Sequence, residues 1–68
     1  MAKLSKDDFQ KLWDEFQNDP EKVGSNPNNC KSFLDSALNL LNKGDISEEL
    51  AKEVMAAAND ALAKLSPM

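Results

Sequence analysis

The chain has 68 residues, and its twelve acidic and eight basic residues give a net charge of −4, with no histidine and a single cysteine. A chain of this length forms one domain with a small core, which leaves no room for a deep catalytic cleft. An acidic chain whose basic residues are all lysine lacks the bidentate arginine contacts that dominate base recognition, so we expect no nucleic-acid partner.

Cysteine usage and hydropathy indicate a cytoplasmic protein. Cys30 has no second cysteine to pair with, which favours a reducing compartment. A lone thiol without histidine does not build the usual structural zinc site, so no metal is expected. In the first residues, MAKLSKDDF, charged side chains recur before an apolar run of signal-peptide length can form. The longest apolar run, VMAAA, is far shorter than the ~20 residues that span a bilayer, so we expect no membrane partner.

The first predicted helix covers about residues 5–18. Ser5 is a candidate N-cap, and Asp8 follows three positions later, as in a capping box. The large apolar residues then recur at helical spacing and form one stripe. They are Phe9, Leu12, Trp13 and Phe16.

The segment DPEKVG predicts a single helical turn at about residues 20–23. Asp19 is placed to cap it, with Pro20 at its first position and Val23 pointing inward. We expect Gly24 to end the turn in the left-handed conformation. The residues at 24–27, rich in glycine, serine, asparagine and proline, predict a loop.

Two more amphipathic helices are predicted, at about residues 27–43 and 46–65. Asn26 and Pro27 favour the start of the first, and Gly44 favours its end. Asp45 or Ser47 can cap the second. The apolar stripe of the first consists of Cys30, Phe33, Leu34, Ala37, Leu38 and Leu41. The line along the second consists of Leu50, Val54, Ala58, Ala61 and Leu65.

These elements predict an all-α fold, a small three-helix bundle with an extra single helical turn between helices 1 and 2. The short link after Gly44 predicts antiparallel neighbours. The last helix is rich in alanine, which lets another helix approach closely. We expect the bulky aromatic stripe of the first helix to pack against this alanine face, because large against small fills a core.

The sequence offers little catalytic chemistry. A serine or cysteine nucleophile needs an activating base, and the chain has neither histidine nor tyrosine. Cys30 lies on an apolar stripe, which is typical of a buried structural thiol. Adjacent carboxylates such as Asp7 and Asp8 diverge around a helix and do not converge on a substrate. We therefore expect no enzyme and no cofactor.

One short motif supports an alternative function. The segment LDSALNLL, with Asp35, Ser36 and Ala37, resembles the Asp-Ser-Leu attachment motif of acyl carrier proteins, which are also small, acidic and helical. In that family the serine stands at the start of a helix and carries a phosphopantetheine arm. Here the resemblance covers three or four residues, and Ser36 falls in the middle of a periodic apolar run. The resemblance implies an acyl carrier or accessory subunit; without it, Ser36 is expected on a helix surface.

The preferred interpretation is a small acidic protein-protein interaction module, such as a regulator, an inhibitor or a chaperone-like protein, that uses a helical face. The partner is a protein whose identity the sequence does not give, and a homodimer is a further possibility. Two sets of residues are candidates for the binding surface. The apolar set, at the margins of the stripes, is Leu40, Met55 and Leu62. The acidic set is Asp14, Glu15, Glu49, Glu53 and Asp60.

Overall fold

The computed structural model describes residues 3–65, and within this range the chain forms four helices and no strands. The prediction of a small all-α bundle with a short helix between helices 1 and 2 is confirmed. No helix in this range is long and apolar enough to cross a bilayer. The helices are α1 Lys6–Asn18, α2 Pro20–Gly24, α3 Pro27–Lys43 and α4 Glu48–Leu65.

Each helix is preceded by a capping residue whose side-chain oxygen accepts a hydrogen bond from a backbone N–H of the first turn. That N–H otherwise has no partner within the helix. The bonds run from Asp8 N to Ser5 Oγ at 3.2 Å, from Lys22 N to Asp19 Oδ1 at 3.3 Å, from Asn28 N to Asn26 Oδ1 at 2.9 Å and from Leu50 N to Ser47 Oγ at 3.1 Å. These local bonds place the helix starts within two residues of the predicted positions.

The reversal between α3 and α4 depends on Gly44, which has a φ of 79°. The N–H of Asp45 donates to the Leu40 carbonyl at 2.9 Å, and the N–H of Gly44 donates to the Leu41 carbonyl at 3.0 Å. This pair of bonds is the Schellman motif, which ends a helix in the left-handed conformation. The short reversal brings α4 back along α3, and these two helices share the most extensive contact in the fold.

An aromatic cluster centred on Phe33 of α3 fills the core. The rings of Phe9, Trp13 and Phe16 lie 6.0, 5.9 and 5.8 Å from that of Phe33, each near perpendicular to it. Edge-to-face packing of this kind stabilises aromatic pairs beyond the area that they bury.

The expected packing of the aromatic stripe against the alanine face is therefore wrong. The stripe of α1 packs on Phe33, and α1 and α4 are the two helices that approach each other least. The small residues of α4 instead let α3 lie close, with Ala51, Val54 and Ala58 fully buried. A pattern of large and small residues does not by itself determine which helices pair.

The prediction that Gly24 ends α2 in the left-handed conformation is also wrong. Gly24 is a helical residue of α2, and Gly44 is the only residue with positive φ among residues 3–65. A Cβ at position 24 would lie 3.2 Å from Phe16 Cε1 and 3.4 Å from Ala61 Cβ. The glycine therefore serves close packing, and the predicted loop at 24–27 shortens to residues 25 and 26.

Candidate functional site

An open groove of about 430 Å³ lies where α2 meets the end of α1 and the second half of α4. This volume falls in the range of roughly 300 to 1,000 Å³ that is typical of ligand sites. Its apolar lining consists of Phe16, Pro20, Gly24, Ala57, Ala61 and Leu65. Its polar rim consists of Glu21, Ser25, Asp60 and Lys64.

The groove exists because three of its lining residues have little or no side chain. Ala57 and Ala61 are one helical turn apart on α4, and Gly24 faces Ala61 from α2. The backbones come together at Gly24 and Ala61, while the short side chains beside that contact leave the space open. Leu65 stands at the end of α4 with 37% of its surface exposed.

One wall of the groove is an aromatic ring held firmly from behind. The partly buried Phe16 stacks on Trp13 with ring centroids 5.5 Å apart and an interplanar angle of 12°. It also meets Phe33 edge-on. Trp13 is 6% exposed, so the wall is supported by the core and is preformed.

Charged side chains surround the mouth of the groove. Lys64 Nζ lies 3.3 Å from Asp60 Oδ2, and both side chains are largely exposed. An exposed pair spaced i, i+4 contributes little to stability. Glu21 stands on α2 and faces solvent.

A second depression, smaller than the groove, lies between α1 and α2. It is lined by Glu15, Asn18, Asp19, Lys22 and Val23. Across the two depressions four carboxylates are accompanied by two ammonium groups. This end of the molecule therefore carries an excess of negative charge.

The apolar set of predicted binding residues does not form a surface patch. Leu40 is only 2% exposed, so its assignment to an exposed margin is wrong. Met55 and Leu62 are partly buried against the core and do not line the groove. The buried arc of α3 runs through Phe33, Ala37 and Leu40 and leaves out Leu38, which is 53% exposed.

The acidic set is divided by the fold. Asp60 lines the groove, and Glu15 lines the second depression. Asp14 accepts a hydrogen bond from the side-chain amide of Gln10 at 3.2 Å. Glu49 and Glu53 are exposed on α4 outside both depressions.

Most of the groove was missed by sequence reasoning. The sequence pattern places Phe16, Ala61 and Leu65 on the inward stripes of their helices and predicts Gly24 as a helix stop. The signal that identifies the groove is the combination of Gly24 with Ala57 and Ala61, because small residues at a helix crossing permit close approach and leave space beside it.

Ser36, the serine of the acyl-carrier resemblance, is fully buried. The expectation that it lies on a helix surface is therefore wrong. Its Oγ accepts a hydrogen bond from the N–H of Leu4 at 2.8 Å. The hydroxyl therefore has a structural partner and no access to solvent. This fold offers no exposed attachment point for a phosphopantetheine arm at Ser36.

Cys30 is buried as predicted, with 1% of its surface exposed. Its thiol lies 3.7 Å from the Gly24 carbonyl oxygen, to which it donates a weak hydrogen bond. Burial raises the pKa of the Cys30 thiol from 9.0, and the backbone hydrogen bond at Cys30 lowers it by less. A protonated, inaccessible thiol is a poor nucleophile.

Within residues 3–65 no three metal-ligating side chains come together.

Comparison with protein-family models, with curated proteins and with solved structures gave no match for this chain.

Proposed function

We propose that this chain is a small acidic protein-protein interaction module that binds an apolar side chain of a partner in the groove beside α2. The observation that supports this proposal is an apolar, open groove with a preformed aromatic wall and an exposed leucine at one end. A cytoplasmic location is part of the proposal, supported by the single cysteine.

The shape of the groove fits a protruding side chain. Phe16 forms a tall, flat wall, while Ala57 and Ala61 line the side formed by α4. A partner helix can lay its apolar face along such a groove and insert one residue as an anchor. Burial of a large apolar side chain in a preformed pocket is the usual source of binding energy at such interfaces.

A binding role is favoured over a catalytic one by the positions of the nucleophiles. Cys30 and Ser36, the two side chains that the sequence singled out for covalent chemistry, are both buried and hydrogen-bonded. Neither faces the groove. A regulator, inhibitor or chaperone-like role requires only the exposed surface.

Two single substitutions on adjacent residues of α4 test the proposal. Ala57→Leu fills the groove, whereas Ala56→Leu adds the same side chain at an exposed position outside it. Both changes keep a strong helix former. Thermal unfolding of both variants checks that they remain folded.

The probe is a phage-displayed library of helical peptides about 15 residues long, selected on the immobilised chain. We expect selected peptides to bind Ala57→Leu at least about tenfold more weakly, a loss of roughly 1.4 kcal/mol, and Ala56→Leu as well as the original chain. The proposal is wrong if selection yields no binder, or if the binders respond equally to both substitutions.

A further inference from the structure

We infer that the groove is built for a basic amphipathic helix, one that inserts a large apolar side chain and places lysine or arginine within one turn of it. This inference rests on the proposed function and specifies the chemistry of the partner. It is carried by the charges at the mouth of the groove.

The mouth presents carboxylates from two helices. Glu21 belongs to α2 and Asp60 to α4, and both line the groove and face solvent. A cation beside an anchored side chain can therefore reach one of them. Asp60 is free to exchange its present partner, because its ion pair with Lys64 is exposed on both sides, at 70% and 77% of the side-chain surface.

Two further carboxylates lie outside the groove, at the end of α1 and the start of α2. Glu15 and Asp19 line the second depression, where Lys22 is the accompanying cation. The net charge of −4 on the whole chain has the same sign, so it attracts a basic segment and repels an acidic one.

Three synthetic peptides test the inference. Each is about 15 residues long, or roughly four helical turns, and carries Phe and Leu at the same helical spacing. The remaining positions are Lys in the first peptide, Gln in the second and Glu in the third. None contains tryptophan, so the fluorescence of Trp13, the only tryptophan of the chain, reports binding through its stacking on Phe16.

We expect the Lys peptide to bind roughly tenfold more tightly than the Glu peptide at about 0.05 M salt, because it can form one or two exposed ion pairs with the carboxylates at the groove. The difference should shrink to about twofold at about 0.5 M salt, where screening shortens the reach of exposed charges. Equal binding of all three peptides at low salt overturns the inference.

Two double variants separate a local effect from the overall charge. Glu21→Gln with Asp60→Asn removes the carboxylates of the groove, whereas Glu53→Gln with Asp14→Asn removes two carboxylates outside both depressions. Each double variant loses the same charge. We expect the preference for the Lys peptide to fall at least threefold in the first variant and to persist in the second. An equal fall in both overturns the inference, because the attraction is then not local.

Ala57→Leu distinguishes failure of the inference from failure of the proposed function. If the three peptides bind equally well and Ala57→Leu weakens the binding of each, the proposed function stands and the preference for a basic partner is contradicted. If Ala57→Leu weakens the binding of none of the peptides, or if none of the three peptides binds at all, a basic partner at this groove is contradicted. The phage selection then decides the proposed function separately.

Discussion

The backbone N–H of Leu4 donates a hydrogen bond to Ser36 Oγ at 2.8 Å, across 32 positions of sequence. This bond ties the extended segment before α1 to the middle of α3. Ser36 is fully buried, and no buried side-chain nitrogen or oxygen of residues 3–65 lacks a partner. A polar residue on an inward face of α3 is thus explained by a structural role.

Ser36→Ala should lower the free energy of unfolding by about 1 kcal/mol. The change leaves the part-buried amide of Leu4 without its acceptor, which costs about 1–3 kcal/mol, while alanine returns about 0.5 kcal/mol of helix propensity. Urea unfolding measures the difference, and amide exchange at Leu4 should accelerate.

Ser32→Ala is the matched control, because Ser32 lies one turn earlier on the same helix and is partly exposed. It gains the same propensity and should be neutral or slightly stabilising. If Ser36→Ala is as stable as Ser32→Ala, the bond to Leu4 contributes nothing to the fold.

The helix boundaries could be predicted because local chemistry determines them. Ser5, Asp19 and Asn26 each accept a backbone N–H of the helix that follows. Gly44 adopts the positive φ that its position after α3 requires. Such interactions involve residues a few positions apart, so the sequence displays them directly.

The groove could not be predicted because it depends on how the helices are rotated and paired. The apolar spacing places Leu38 on the inward stripe of α3, whereas the buried arc of the folded helix includes Ser36 and Leu40 and leaves Leu38 exposed. Gly24 has a role only through Phe16 and Ala61, which lie on two other helices. Contacts between distant segments of this kind leave no fixed spacing in the sequence.

Leu40→Ala and Leu38→Ala should differ strongly in stability although the two residues are two positions apart. Leu40 is 2% exposed and Leu38 is 53% exposed. Removing the buried side chain should cost about 2–5 kcal/mol, whereas the exposed one should change stability by less than about 0.5 kcal/mol. Urea unfolding of both variants is the measurement. Similar losses would show that α3 is rotated differently from the arrangement described.

Gly44→Ala should destabilise the fold through backbone conformation alone. Gly44 has a φ of 79°, and a Cβ there would meet nothing within 4 Å. The left-handed conformation costs an L-residue about 1–2 kcal/mol. Chemical synthesis with D-alanine at position 44 is the control, because its mirror-image preference suits positive φ; its stability should equal or exceed that of the original chain. Equal loss with both enantiomers would implicate the side chain.

Cys30 should make the fold less stable in alkaline solution. Desolvation by burial raises the pKa of its thiol above 9.0 in the folded state. From about pH 9 upward the unfolded chain releases a proton that the folded chain retains, so the free energy of unfolding falls as the pH rises through the folded pKa. Cys30→Ala removes this contribution and keeps all eight lysines, so its stability should fall less steeply between about pH 8 and 10.5. Parallel slopes in urea titrations of the two proteins would show that the thiol is not desolvated.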